Sequence, residues 1–117
     1  MRIDVPGQPL PKQRPVWCRG RARSRSRDLL EEDRLRSHLF VAMGRRPPAS
    51  QSISLRINFR RSGRIAVDLD NLIKMILDAS NRILWEDDRQ IVAISATKTL
   101  GCRKPRTRIY IRERKSK

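Results

Sequence analysis

A nine-residue segment in the middle of the chain alternates strictly between polar and apolar side chains. Its apolar positions are Ile53, Leu55, Ile57 and Phe59, and its polar positions are Ser52, Ser54, Arg56, Asn58 and Arg60. Because successive side chains of a strand point to opposite faces, the segment predicts a β-strand with one apolar and one polar face. A sheet containing this strand must bury the apolar face against other elements.

Two segments have apolar residues at helical spacing and can provide that cover. Asp28 is expected to cap a helix over residues 28–43, which Gly44 ends. A second helix is expected to begin at Asp70 or a neighbour. Its predicted apolar stripe consists of Leu72, Ile73, Ile76, Leu77, Ile83 and Leu84.

Three further strands are predicted over residues 1–5, 90–97 and 106–112. The chain has 117 residues and neither a linker nor an internal repeat, which predicts one domain over residues 1–117. The expected fold class is α+β, with a mixed or antiparallel sheet packed against two helices. Residues 19–27 are expected to form a basic loop, and residues 113–117 a frayed tail.

The net charge of +16 at pH 7 indicates a polyanionic partner. No basic amphipathic helix with a wide apolar face is predicted, so nucleic acid is favoured over a membrane surface. Aromatic residues are few, which favours phosphate contact over base stacking. No apolar run could span a bilayer and no apolar signal region begins the chain, so we expect a cytoplasmic protein.

Basic residues are frequent along the chain, and residues 19–27 form an alternating arginine run. The alternative interpretation of such a run is a solvated basic surface that promotes solubility. We favour DNA contact. The predicted phosphate-binding residues are Lys12, Arg14, Arg19, Arg21, Arg23, Arg25, Arg27, Arg60, Arg61 and Arg64.

Acidic residues are concentrated in one segment of this basic chain. Residues 68–88 hold six of the twelve acids and only two bases. Carboxylates repel phosphate, so acids clustered in a polyanion-binding protein require a reason. A divalent cation held between carboxylate and phosphate is one.

Asp68 and Asp70 are two residues apart at a predicted helix entry, so their carboxylates can converge on one cation. Lys74 lies one helical turn beyond Asp70, and Asp87 or Asp88 could complete the site if the following strand returns beside the helix entry. With Mg²⁺, this set of groups suits phosphodiester hydrolysis, since the metal activates water and the lysine supports the transition state or the leaving oxygen. Each feature alone has a plainer explanation, namely a helix cap, a surface ion pair or an acidic turn.

The same residues resemble the RusA family of Holliday junction resolvases. The resemblance covers residues 67–74, Asp78, residues 83–91 and Lys98, together with the proline-basic segment 9–15. It implies a homodimeric, Mg²⁺-dependent endonuclease, with Mn²⁺ as a substitute, that cuts four-way junctions by paired symmetric nicks in recombination and repair. It also implies a bacterial or phage-encoded protein.

By position, the resemblance assigns Asp68, Asp70 and Asp88 as catalytic and metal-binding acids and Lys74 as the catalytic lysine. Asp87 is the alternative ligand, and Asp78 is expected to form only a salt bridge, for example to Arg82. A homodimer also suits a junction with two equivalent cleavage points. The competing hypotheses are a non-catalytic basic nucleic-acid-binding protein and a nuclease for other branched DNA.

Overall fold

The computed structural model describes the backbone of residues 1–13, 16–18, 21–23 and 26–114, and the side chains of residues 1–13 and 27–114. Two helices and six strands make up this part of the chain, with a short 3₁₀ turn over Asp88–Gln90. In order, the elements are β1 (Arg2–Pro6), β2 (Val16–Cys18), β3 (Arg21–Arg23), α1 (Ser26–Met43), β4 (Ser52–Arg60), α2 (Leu69–Ser80), β5 (Ile91–Thr99) and β6 (Arg106–Arg114).

Four strands form one mixed sheet in the order β1-β6-β4-β5. β6 runs antiparallel to both β1 and β4, whereas β4 and β5 are parallel. β2 and β3 form a separate two-stranded hairpin. The α+β class, the mixed sheet and the two helices are therefore as predicted.

The parallel pairing of β4 and β5 determines where α2 begins and ends. Parallel neighbours need a crossover connection, and α2 provides it. The helix consequently begins at the end of the sheet where β4 finishes, and returns the chain to the end where β5 starts. The two ends of α2 therefore lie at opposite ends of the sheet.

The core lies between the helices and one face of the sheet. The alternating apolar residues of β4 are all buried there, as the sequence predicted. They pack against Leu35 and Leu39 of α1 and against Leu72, Met75 and Ile76 of α2. Burial of large aliphatic side chains of this kind contributes roughly 1.5–3 kcal/mol each.

The predicted apolar stripe of α2 is too long. The helix ends at Ser80, and Arg82 has φ +70°, a left-handed conformation that interrupts helical geometry. Ile83 and Leu84 therefore lie in the turn after the helix. Leu84 and Trp85 are nonetheless buried in the same core.

Two expected irregular segments contain regular structure. Within the predicted loop 19–27, Arg21–Arg23 pair with β2, and Ser26 begins α1 two residues before the expected cap. Asp28 is thus inside the first turn, where its buried Oδ2 accepts a hydrogen bond of 2.8 Å from the Gln13 N–H. Strand β6 extends to Arg114, into the expected tail.

Candidate functional site

An acid pair, Asp68 and Asp70, marks the start of α2. Asp68 is the N-cap residue in extended backbone, yet its side chain makes no capping hydrogen bond within this fully described helix. Both aspartates are exposed to solvent. The plain explanation of Asp68 as a side-chain cap is therefore not supported, and its carboxylate is left accessible for another role.

Asn71 connects the two carboxylates. Its side-chain amide donates to Asp68 Oδ2 at 3.4 Å, and its backbone N–H donates to Asp70 Oδ1 at 3.0 Å. Both carboxylates are thereby oriented around one residue. No role for Asn71 was predicted from the sequence, although Asn71 directly follows Asp70.

Two lysines lie close to the acid pair. Lys98, at the end of β5, donates from Nζ to the carbonyl oxygen of Val67 at 2.5 Å, which ties the residue before Asp68 to the sheet. Lys74 is exposed on α2, four residues after Asp70 and hence on the same side of the helix. Cationic groups are thus available beside the acids for a phosphate or a leaving oxygen.

Trp85 holds Asp88 at the end of the sheet opposite the acid pair. The Trp85 side chain is fully buried, and its Nε1–H donates to Asp88 Oδ1 at 2.7 Å. This charge-assisted bond fixes one carboxylate oxygen while Asp88 as a whole remains exposed. This positioning role of Trp85 was not predicted from the sequence.

Asp87 instead forms hydrogen bonds within its own turn. Its Oδ1 accepts from the Arg89 N–H at 2.8 Å, and its own N–H donates to Gln90 Oε1 at 2.7 Å, forming a capping box. The backbone hydrogen bond from Arg89, assisted by the Arg89 charge, lowers the pKa of Asp87 below its usual value. These contacts account for Asp87 as a structural cap and favour Asp88 as the functional acid.

The acid pair and Asp88 are not brought together within one chain. Asp88 precedes the start of β5 beside Ile53, whereas Lys98 and the acid pair lie at its far end beside Phe59. The usual rise of a strand makes this separation on the order of 20 Å. Accordingly, no three His, Cys, Asp or Glu side chains in the described part of the chain are grouped so that they could hold a metal ion.

Asp78 forms a salt bridge with Lys12 rather than with Arg82. Lys12 Nζ lies 3.0 Å from Asp78 Oδ2 and 3.1 Å from Glu32 Oε1, and its side chain is only 14% exposed. Burial alone would lower the pKa of Lys12, but the hydrogen bonds to Asp78 and Glu32 outweigh it and raise the pKa. Lys12 therefore joins the proline segment to both helices, which weighs against direct phosphate contact.

The other predicted phosphate contacts differ in exposure. Arg61 is buried and donates to the carbonyl oxygens of Pro9 and Ile65, so it braces the fold. Arg27 is exposed and donates to Pro11, while Arg60 and Arg64 are exposed beside the acid pair's end of the sheet. The side chains of Arg14, Arg19, Arg21, Arg23 and Arg25 lie outside the described residues.

Comparison with known proteins assigns the family. No curated protein matches the chain significantly. A family model described as endodeoxyribonuclease RusA matches residues 6–112, which include the acid pair, Lys74, Asp88 and Lys98. Membership of this family implies nuclease activity of the Holliday junction resolvase type. Among the described residues, no helix is both long and apolar enough to cross a membrane. The chain belongs to the endodeoxyribonuclease RusA family.

Proposed function

We propose that this protein is a Mg²⁺-dependent, homodimeric endonuclease that resolves four-way DNA junctions by paired symmetric nicks. The observation that carries the proposal is the exposed acid pair, oriented by Asn71 and flanked by lysines, in a chain of charge +16. A protein that only binds DNA gains nothing from two accessible carboxylates beside its basic surface. Family membership supports the same activity.

The donor set of the acid pair fits Mg²⁺. This ion takes carboxylate oxygens and retains several waters, so few protein ligands are needed, and Mn²⁺ accepts similar ligands. Asp68 and Asp70 would supply these oxygens, and Asp88 would supply a third. When bound, the ion would neutralise phosphate charge and increase the acidity of a water molecule. The matching sequence pattern and the accessible carboxylates support this assignment.

The third acid would come from a second copy of the chain. β5 is an edge strand, and its Val92 and Ile94 side chains are 55% and 43% exposed. Ile94 is exposed even though it pairs with the buried Leu55 and therefore lies on the core side of the sheet. A second β5 running antiparallel beside the first would cover this apolar edge. Such pairing aligns the start of one β5 with the end of the other, which carries Asp88 toward the partner copy's acid pair.

Each residue then has a defined task. Asp68 and Asp70 bind and orient the cation, Asn71 holds their carboxylates, and Asp88 closes the site from the second copy. Lys74 lies on the acid pair's side of α2, where its charge can stabilise the leaving oxygen. A twofold dimer would present two such sites, in keeping with the symmetry of a junction.

The test is Asp70→Asn, with Asp33→Asn as its matched control, since Asp33 is an exposed acid on α1. Losing a ligand should reduce Mg²⁺-dependent junction cleavage at least ~100-fold, while junction binding persists because one negative charge is removed. The Asp33 variant should cut normally. Cleavage by the Asp70 variant at the rate of the unsubstituted protein would overturn the assignment.

The position of the nicks tests the substrate. On junctions with mobile and with fixed cores, a resolvase should make paired nicks related by the twofold symmetry of the junction. Nicks confined to one strand of a flap or fork would instead support the nuclease for other branched DNA. Metal-independent binding without any cleavage would support the non-catalytic alternative.

A further inference from the structure

The face of the sheet opposite the helices is lined with arginines, and we name it the open sheet face. Side chains at alternate positions of β1, β4 and β6 point away from the core and form this surface. Its arginines are Arg2, Arg56, Arg60, Arg106, Arg108, Arg112 and Arg114. Asp4 is the one acid among these outward positions, so the surface is strongly positive.

The arginines of this face are aligned by the strand register. Arg56 lies opposite Tyr110, and its guanidinium carbon is 4.3 Å from the centre of that ring. This cation–π contact holds the guanidinium against the sheet and leaves its N–H groups free to bind an anion. Asp4 forms salt bridges with Arg2 and Arg108 of the same face.

Most of these arginines have no acidic partner in the described part of the chain. Core-facing residues of the same strands are buried, whereas Arg56, Arg60, Arg112 and Arg114 are exposed. Like charges this close repel one another when no counter-charge is present. An anionic partner that spans several strands would relieve the repulsion, and this is the physical reason to expect one.

We infer that the open sheet face binds the sugar-phosphate backbone of a duplex arm of the branched DNA substrate, without reading its sequence. The inference rests on the proposed function for the identity of the substrate. β6 is roughly 27 Å long, and duplex DNA carries one phosphate per ~3.4 Å on each strand, so the face can follow about eight base pairs. Its guanidinium groups suit phosphate.

The direction of the arm follows from the position of the acid pair. Arg60 and Arg106 lie at the end of the sheet where α2 begins, and Arg112 and Arg114 lie at the opposite end. An arm that leaves the cleavage point along β6 would therefore reach Arg112 and Arg114 last. Only long arms should contact these two residues.

The experiment compares Arg112→Gln/Arg114→Gln with Arg45→Gln/Arg46→Gln, which removes equal charge from the connection between α1 and β4. Affinity is measured without divalent cation on junctions with long arms of about 25 base pairs and on junctions with short arms of about 4 base pairs, each closed by a hairpin loop. Loss of two phosphate contacts should weaken binding to the long-armed junction about tenfold and reduce the slope of log affinity against log salt by about 2. The control should change about twofold or less.

Two results would overturn the inference: a loss on long arms no larger than that of the control, or an equal loss on short arms. Thermal denaturation checks that the variants fold, and Arg56→Gln gives a second substitution on the same face. The proposed function can be disproved independently of this inference. If the unsubstituted protein binds junctions through these arginines but never cuts them, the DNA-binding surface is supported and the nuclease assignment is contradicted.

Discussion

The acids at the start of α2 differ from the later acids of the same segment in what holds them. Asp68 and Asp70 at the helix start are exposed, and Asn71 is the only hydrogen-bond donor to their carboxylates in the described part of the chain. Asp78 is paired with Lys12, Asp87 caps a 3₁₀ turn, and Asp88 is held by Trp85. Asp68, Asp70 and Asp88 form no ion pair with a basic side chain in the described part of the chain, whereas Asp78 and Asp87 do. This difference, and not position in the acidic segment, separates the candidate ligands from the structural acids.

The largest effect is expected when the two adjacent acids, Asp87 and Asp88, are neutralised one at a time. Asp88→Asn should reduce junction cleavage at least ~100-fold, because a ligand or a charge at the reacting phosphate is lost. Asp87→Asn should stay within about threefold, since Asp87 is occupied by Arg89 and Gln90. Single-turnover cleavage assays measure both, and equal losses would show that the two acids are not distinguished by their contacts.

A smaller effect is expected from the residue that joins the acid pair. Asn71→Ala removes the amide that contacts Asp68, and changes to groups that orient metal ligands typically cost about 10–100-fold in metal affinity or activity. We expect a loss of about tenfold that added Mg²⁺ partly restores. A magnesium titration of cleavage measures it, and an unchanged dependence on Mg²⁺ would leave Asn71 with a structural role only.

The smallest effect concerns the paired acid of α2 and changes stability rather than cleavage. Lys12→Met should lower the free energy of unfolding by about 1 kcal/mol, a modest value because water screens the partly exposed Asp78. The raised pKa of Lys12 means that this contribution is present below pH 10.5 and is lost as the pH rises through the folded pKa.

Urea denaturation at neutral and alkaline pH measures the Lys12 effect, with Lys104→Met as a control at an exposed lysine between β5 and β6. The difference between the Lys12 variant and the unsubstituted protein should shrink above pH 10.5. A difference that stays constant with pH would mean that packing, and not the ion pair, carries the contribution.

Local patterns were sufficient to predict much of the fold. The alternation of β4 and the helical spacing of α1 and α2 depend on neighbouring residues, so these elements could be found without tertiary information. The hairpin strand Arg21–Arg23 was missed because it has no apolar face to mark it. The end of α2 was missed because Arg82 adopts a conformation that its residue type does not predict.

Contacts between distant segments could not be predicted. Lys12 and Arg61 are basic by sequence, and only the fold shows that one is paired with acids and the other is buried against carbonyl groups. The parallel register of β4 and β5 likewise determines that Asp88 lies far from the acid pair in one chain. Sequence spacing identified the candidate acids but could not say whether one chain brings them together.

We expect Asp88 to act on the acid pair of a second copy, and subunit mixing tests this claim. Asp70→Asn and Asp88→Asn proteins are each expected to be inactive. In a heterodimer of the two, one site would combine an intact acid pair with an intact Asp88, and the other site would carry both substitutions. Co-expressed and tagged heterodimers should therefore regain cleavage of one strand at a fixed junction. Heterodimers that form and bind the junction but make no nick would contradict the claim.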